Sequence, residues 1–238
     1  QIWEKITSKK DWGIRRARAT RRMKHDLFIT DLWEFDFPYH DQFKPQVLDF
    51  ISSPKAQLYL SENSSNNPSL TSYGGDELEF YENVSLISFF QTQILKLFTS
   101  VQEVHDWPKE DEGHWSFETW INANQKGNFN PPHIHPGSNY SGCYYVQLPQ
   151  DSGLIHFLDP RPQHRASSPD PPSTSTYSER GKNCYNTSNQ YDSSLFTSNI
   201  KEGKVIIFPS WLMHYVDPNP TEGLRVSVCF NIVWNTWK

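Results

Sequence analysis

Long apolar runs are missing from this sequence: no stretch approaches the roughly 18 residues that a membrane span requires, so membrane insertion is not expected. Cysteine is scarce. Cys143, Cys184 and Cys229 are odd in number and far apart along the chain, which argues against a disulfide framework and for a reducing compartment, with packing as their expected role. No positively charged start followed by a short apolar segment is present. That speaks against a secretory signal and, with the cysteines, points to a cytoplasmic location. An excess of cations is absent too, since the formal net charge is −5, which offers no general attraction for nucleic acid or anionic lipid. Nine of the 22 cations do crowd into the first 24 residues. Without the interleaved aromatic pattern that a single-strand binder needs, that cluster reads as a solvated face and not as a nucleic-acid arm.

What the chain has in quantity is bulk: 15% of it is aromatic, with nine Trp. A chain of 238 residues has the length to bury a substantial core, and a single domain over 1–238 is expected. Within it, 1–26 is a basic segment, 27–115 a strand with supporting helices, and 116–238 a β-rich core with a polar insertion at 161–199. A strand is predicted from Leu32 to Phe37, ended by Pro38, then a short helix after Pro45 carrying Val47, Leu48, Phe50 and Ile51. Residues 61–75 read as a loop. Val84, Ile87, Phe90, Ile94, Leu97, Val101 and Val104 recur at spacings of three and four, the stripe of an amphipathic helix laid on the outside of the β-rich half. Short strands are predicted at 116–122, 132–135, 141–148, 154–158, 205–208, 214–216 and 224–233. Their number suggests a sandwich or jelly roll.

The chemistry centres on Asn130-Pro131-Pro132-His133-Ile134-His135-Pro136-Gly137. Strand alternation would put His133 and His135 on one face, roughly 6 to 7 Å apart along the backbone, where two imidazoles can share a metal. His214 follows the apolar run Val205 to Phe208 and the turn at Pro209-Ser210, and it is the candidate third ligand. On the last strand, alternation places Arg225, Ser227, Cys229 and Asn231 together. A guanidinium inside a barrel calls for a carboxylate, which it binds bidentately, so a diacid that also chelates the metal would satisfy both ends of the pocket.

These motifs resemble the 2-oxoglutarate/Fe(II)-dependent oxygenases, closest to an uncharacterised branch. The residues that carry the likeness are His133-Ile134-His135, Ser141-Gly142-Cys143-Tyr144-Tyr145, Phe157-Leu158-Asp159-Pro160-Arg161, Gly203 through Phe208-Pro209 to His214, and Arg225-Val226-Ser227. The resemblance implies a mainly β (α+β) fold, a cupin-like double-stranded β-helix or jelly roll with flanking N-terminal helices. It also implies Fe(II), O₂ and 2-oxoglutarate, whose distal carboxylate pairs with Arg225 and Ser227, and hydroxylation of a small-molecule or peptide substrate. Tyr145 matches a position whose hydroxyl helps hold that carboxylate, and it equally fits a barrel-wall aromatic. Asn122 and Asn231 are candidates to orient the cosubstrate or to satisfy strand ends.

The superfamily's usual ligands are histidine, carboxylate, histidine, and this chain departs from them. Either His133, His135 and His214 give three imidazoles, the favoured reading, or His135 and His214 bind alone with Gly137 at the carboxylate position. Two further alternatives stand: a three-histidine cupin dioxygenase without 2-oxoglutarate, and a non-catalytic ligand-binding jelly roll. The 161–199 insertion is expected at the substrate entrance.

Overall fold

The computed structural model describes residues 29–54, 70–71, 84–102, 112–160, 195–198 and 200–237. The basic N-terminal cluster, Cys184, Arg161 and all but the end of the 161–199 insertion lie outside them. The chain divides into two units between Thr30 and Asp31, and the account below concerns Asp31–Lys238. Its elements are β1 (Trp33–Asp36), α1 (His40–Ser52), β2 (Leu70–Thr71), α2 (Val84–Gln102), β3 (Gly113–Asn124), β4 (Asn130–His133), β5 (Tyr140–Gln147), β6 (Ile155–Leu158), β7 (Leu195–Ser198), β8 (Lys204–Pro209), β9 (His214–Val216) and β10 (Arg225–Thr236).

The strands form two antiparallel sheets, one ordered β1-β8-β5-β10-β3-β2 and the other β4-β9-β6-β7. Period-two alternation explains how the larger sheet serves two cores at once. On β10, Val226, Val228, Phe230 and Ile232 join a core with Phe90, Ile94, Phe98 and Val101 of α2 and with Phe43, Val47 and Ile51 of α1. On the opposite face, Tyr145, Ile206 and Phe208 meet Ile155, Phe157 and Val216 of the smaller sheet. The order of layers is therefore helices, large sheet, small sheet, with both faces of the large sheet covered. Each fully buried aromatic or aliphatic side chain of α2 contributes about 1.5–3 kcal/mol to holding that helix on the sheet. No helix among the described residues is long and apolar enough to cross a membrane.

Several element boundaries differ from the sequence expectation. Helix α1 starts at His40, ahead of Pro45, because Phe43 N–H and Gln42 N–H both bond to the Tyr39 carbonyl and begin the first turn there. Pro45 withholds an N–H from the carbonyl of Asp41, which is exposed and can turn to water. Strand β2 lies inside the stretch read as a loop and pairs with Ala123 and Asn122. Strand β7 lies inside the insertion and pairs with β6, with Phe196 opposite Phe157. Gln93, a polar residue between stripe positions of α2, is buried.

Candidate metal centre and cosubstrate cavity

His133 ends β4, His214 begins β9, and the two are opposed in register. His135 lies past the end of β4, so strand alternation does not place it. A hydrogen bond from its backbone N–H to the Ser210 carbonyl, 2.9 Å, holds it beside β8 instead. One ligating nitrogen from each of the three histidines lies within 4.8 Å of the others.

The tautomers are set by what each Nδ1 touches. His133 Nδ1 is 2.7 Å from the Pro131 carbonyl, His214 Nδ1 is 2.9 Å from the Leu212 carbonyl, and His135 Nδ1 is 2.8 Å from Asn231 Oδ1. All three partners are oxygens that can only accept, so each Nδ1 carries the proton and donates it. Each Nε2 is then left with a lone pair, the form in which imidazole binds a metal. His135 Nε2 and His214 Nε2 face each other at 3.3 Å. Two lone pairs at that separation repel unless a cation sits between them, and adjacent nitrogens on one ion at about 2.1 Å lie about 3.0–3.4 Å apart. The donor set thus fits a divalent transition metal.

Burial keeps the His135 and His214 rings neutral. It pulls the His135 pKa down from 6.5 to about 4, with His133 adding to the effect. It pulls His214 down to about 3, again with His133 second. Trp120 stacks on His135 with ring centres 5.6 Å apart. Behind His135, Asn231 Oδ1 also accepts from Ser141 Oγ at 2.8 Å, and Asn231 Nδ2 donates to Glu118 at 2.9 Å. Ser141 Oγ in turn meets Ser210 Oγ at 2.7 Å.

The histidines open on a cavity of about 310 Å³ that Asn122, Tyr145, Arg225 and Ser227 also line. That is the low end of small-molecule sites. Arg225 is 2% exposed, its Nε has no hydrogen-bond partner, and none of the ion pairs among the described residues includes it. Its guanidinium lies 5.4 Å from the centre of the Tyr145 ring, whose buried hydroxyl is likewise unpartnered. An unpaired buried cation costs several kcal/mol, and a hydroxyl without a partner adds to it, so this end of the cavity is built for an anion.

Residues 118–231 match the family model described as "Putative 2OG-Fe(II) oxygenase". This stretch is a 2-oxoglutarate/Fe(II) oxygenase family domain. Membership implies a dioxygenase, an oxidoreductase. No curated protein matches the chain by sequence. Among solved structures, a Pseudomonas putida prolyl-4-hydroxylase superposes with a TM-score of 0.50 at 11% identity, over 87% of this chain and 94% of that one. HygX from Streptomyces hygroscopicus, solved with nickel and 2-oxoglutarate bound, gives 0.47 at 14% identity over 86% and 82%. A Burkholderia pseudomallei oxidoreductase of the 2OG-Fe(II) oxygenase family gives 0.34 at 14% identity over 51% of this chain, and the match spans 46% of that protein. The prolyl-4-hydroxylase likeness speaks to fold: the two facing antiparallel sheets with two helices are a double-stranded β-helix.

The remaining candidates in the oxygenase domain fall as follows. Gly137 occupies an exposed turn at φ 86°, with open space where a side chain would project. Asn122 lines the cavity and donates to Cys229 Sγ at 3.3 Å, whereas Asn231 is not among the lining residues and reaches the site through His135. His156 packs away from the metal centre, with Nε2 2.6 Å from Asp217 and Nδ1 2.8 Å from Thr197. His40 bonds to the Tyr144 hydroxyl at 2.7 Å, and His114 stacks on Trp237. Trp120 and Glu118 carry no expected role from the sequence, Ser141 enters there only as part of the motif Ser141 to Tyr145, and Ser210 only as a turn residue. Glu118 and Trp120 share the alternating face of Asn122, a signal present in the sequence; Ser210 reaches the site only through tertiary contacts.

Proposed function

We propose that this domain is an Fe(II)- and 2-oxoglutarate-dependent hydroxylase of a small-molecule or peptide substrate, with His133, His135 and His214 as iron ligands. One observation carries the reading: a buried guanidinium without a counter-ion shares a cavity with three converging imidazole lone pairs. Bound Fe(II) supplies the centre at which O₂ is activated as 2-oxoglutarate is decarboxylated to succinate and CO₂. The chain's residues do the positioning. Arg225 clamps the distal carboxylate, and the Tyr145 and Ser227 hydroxyls donate to the same group. Ile155, Phe208 and Val216 line the cavity and keep water from its wall. Three neutral ligands leave the centre one negative charge poorer than a set containing a carboxylate, so the anionic cosubstrate carries more of the charge balance. A reducing, cytoplasmic setting suits the free thiols of Cys143 and Cys229.

Calorimetric titration of 2-oxoglutarate with and without Fe(II), under anaerobic conditions, tests the proposal. Binding is expected only with metal, and Arg225→Met should weaken it by about 10- to 100-fold, the worth of a charge-assisted pair. Equal affinity in both conditions would overturn it. The three-histidine set also suits a dioxygenase that needs no oxo acid, and stoichiometric iron with no detectable 2-oxoglutarate binding would favour that enzyme.

A further inference from the structure

Cys143 and Cys229 are 86 residues apart in sequence, yet they stand directly opposite each other on β5 and β10, with their sulfurs 3.1 Å apart. Opposed residues of an antiparallel pair have Cα atoms about 4.5–5.5 Å apart, within the range a disulfide spans, so the strands need not move for one to form. Both cysteines are free, and both line the cavity that holds Arg225 and the three histidines. Ser227 Oγ lies 3.7 Å from Cys229 Sγ, and Asn122 donates to the same sulfur.

We propose that Cys143 and Cys229 are a redox-active dithiol in the cavity wall, oxidised reversibly to a disulfide by a small hydroperoxide and shielded from it when a dicarboxylate fills the cavity. The shielding rests on the function proposed above; the pairing of the two sulfurs does not. The thiolate of Cys229 attacks one oxygen of hydrogen peroxide, the O–O bond breaks, and water leaves once the proton is returned, giving a sulfenic acid. The Cys143 sulfur then attacks that sulfur and displaces a second water. The two thiols lose two electrons and two protons, and the peroxide is reduced to two waters. Cys229 suits the attacking role. Its thiol pKa is drawn down first by the hydrogen bond with Cys143, then by Ser227, Arg225 and Asn122, against the opposing effect of burial. Cys143 is pushed up by that same bond and by burial.

The experiment uses the full chain carrying Cys184→Ser, so that only this pair can respond. Metal-free protein is treated with hydrogen peroxide, free thiols are alkylated, and intact mass and peptide maps are recorded. The expected product has lost two hydrogens, links the β5 and β10 peptides, and reverts with dithiothreitol. Cys143→Ser and Cys229→Ser should each prevent the link. Thiols that stay reduced, or that oxidise to sulfinic acid without linking, would overturn the pair. In the second arm, Zn(II) and 2-oxoglutarate at ten times its dissociation constant should slow the oxidation about tenfold, as occupancy leaves about a tenth of the sites open. If calorimetry shows that 2-oxoglutarate binds and the rate is unchanged, shielding is refuted. If it does not bind, the functional proposal fails while the first arm still decides the dithiol.

Discussion

Replacing Asn231 by Leu separates the ligand-orienting role of this residue from its role in the fold. The amide makes three hydrogen bonds, accepting from His135 Nδ1 and Ser141 Oγ and donating to Glu118. Leucine keeps the approximate volume and removes all three, which at roughly 0.5–1.5 kcal/mol each costs about 1.5–4.5 kcal/mol in the metal-free protein. A domain of this size loses about 2–4 °C of melting temperature per kcal/mol. The second effect falls on the metal. Without an acceptor for Nδ1–H, the His135 ring is free to turn or to change tautomer, and removal of such a partner typically lowers metal affinity about 10- to 100-fold, or 1.4–2.8 kcal/mol. At saturating Zn(II) or Ni(II), the rise in melting temperature on adding metal should therefore be smaller in the variant than in the native chain by about 3–11 °C. Thermal unfolding with and without metal measures both quantities: the difference between the two metal-free proteins gives the structural cost, and the difference in metal-induced shift gives the positioning. If Asn231→Leu lowers the metal-free melting temperature while the metal-induced shift stays the same, the residue is structural and the tautomer argument is wrong.

Three other outcomes are expected. His133→Ala should lose stoichiometric metal as fully as His214→Ala, measured by elemental analysis after dialysis; full retention would leave His135 and His214 as the ligands. The metal-free protein should lose stability as pH falls below 6.5, because His135 and His214 have folded pKa values near 4 and 3 against about 6.5 unfolded, so the unfolded chain takes up protons the folded one refuses. Urea midpoints at pH 7.5, 6 and 5 check this, and a profile no shallower in His214→Gln would contradict it. Gly142→Ala should destabilise by about 1–3 kcal/mol, since a Cβ there would meet the Phe230 ring at 2.3 Å and the Ile206 carbonyl at 2.4 Å; a melting temperature within a degree of the native value would show that the strands yield.

The sequence by itself determined the period of each β10 face and the order of the motifs. Arg225, Ser227, Cys229 and Asn231 alternate with Val226, Val228, Phe230 and Ile232, so one face was polar and the other apolar before any contact was known. The stripe on α2 likewise named most of the residues that reach the helix-side core, because a 3.6-residue period is a local property. Tertiary structure alone decided how these faces met. His135 lies beyond its strand and is held by Ser210, which is 75 residues away in sequence. Strand β7 carries no signal strong enough to stand out from its polar surroundings and exists because β6 offers it an edge. Cys143 and Cys229 read as packing residues until the pairing of β5 with β10 put their sulfurs together. Strand register depends on long-range hydrogen bonds and on which apolar face must be covered, and neither is written in the spacing of any one segment.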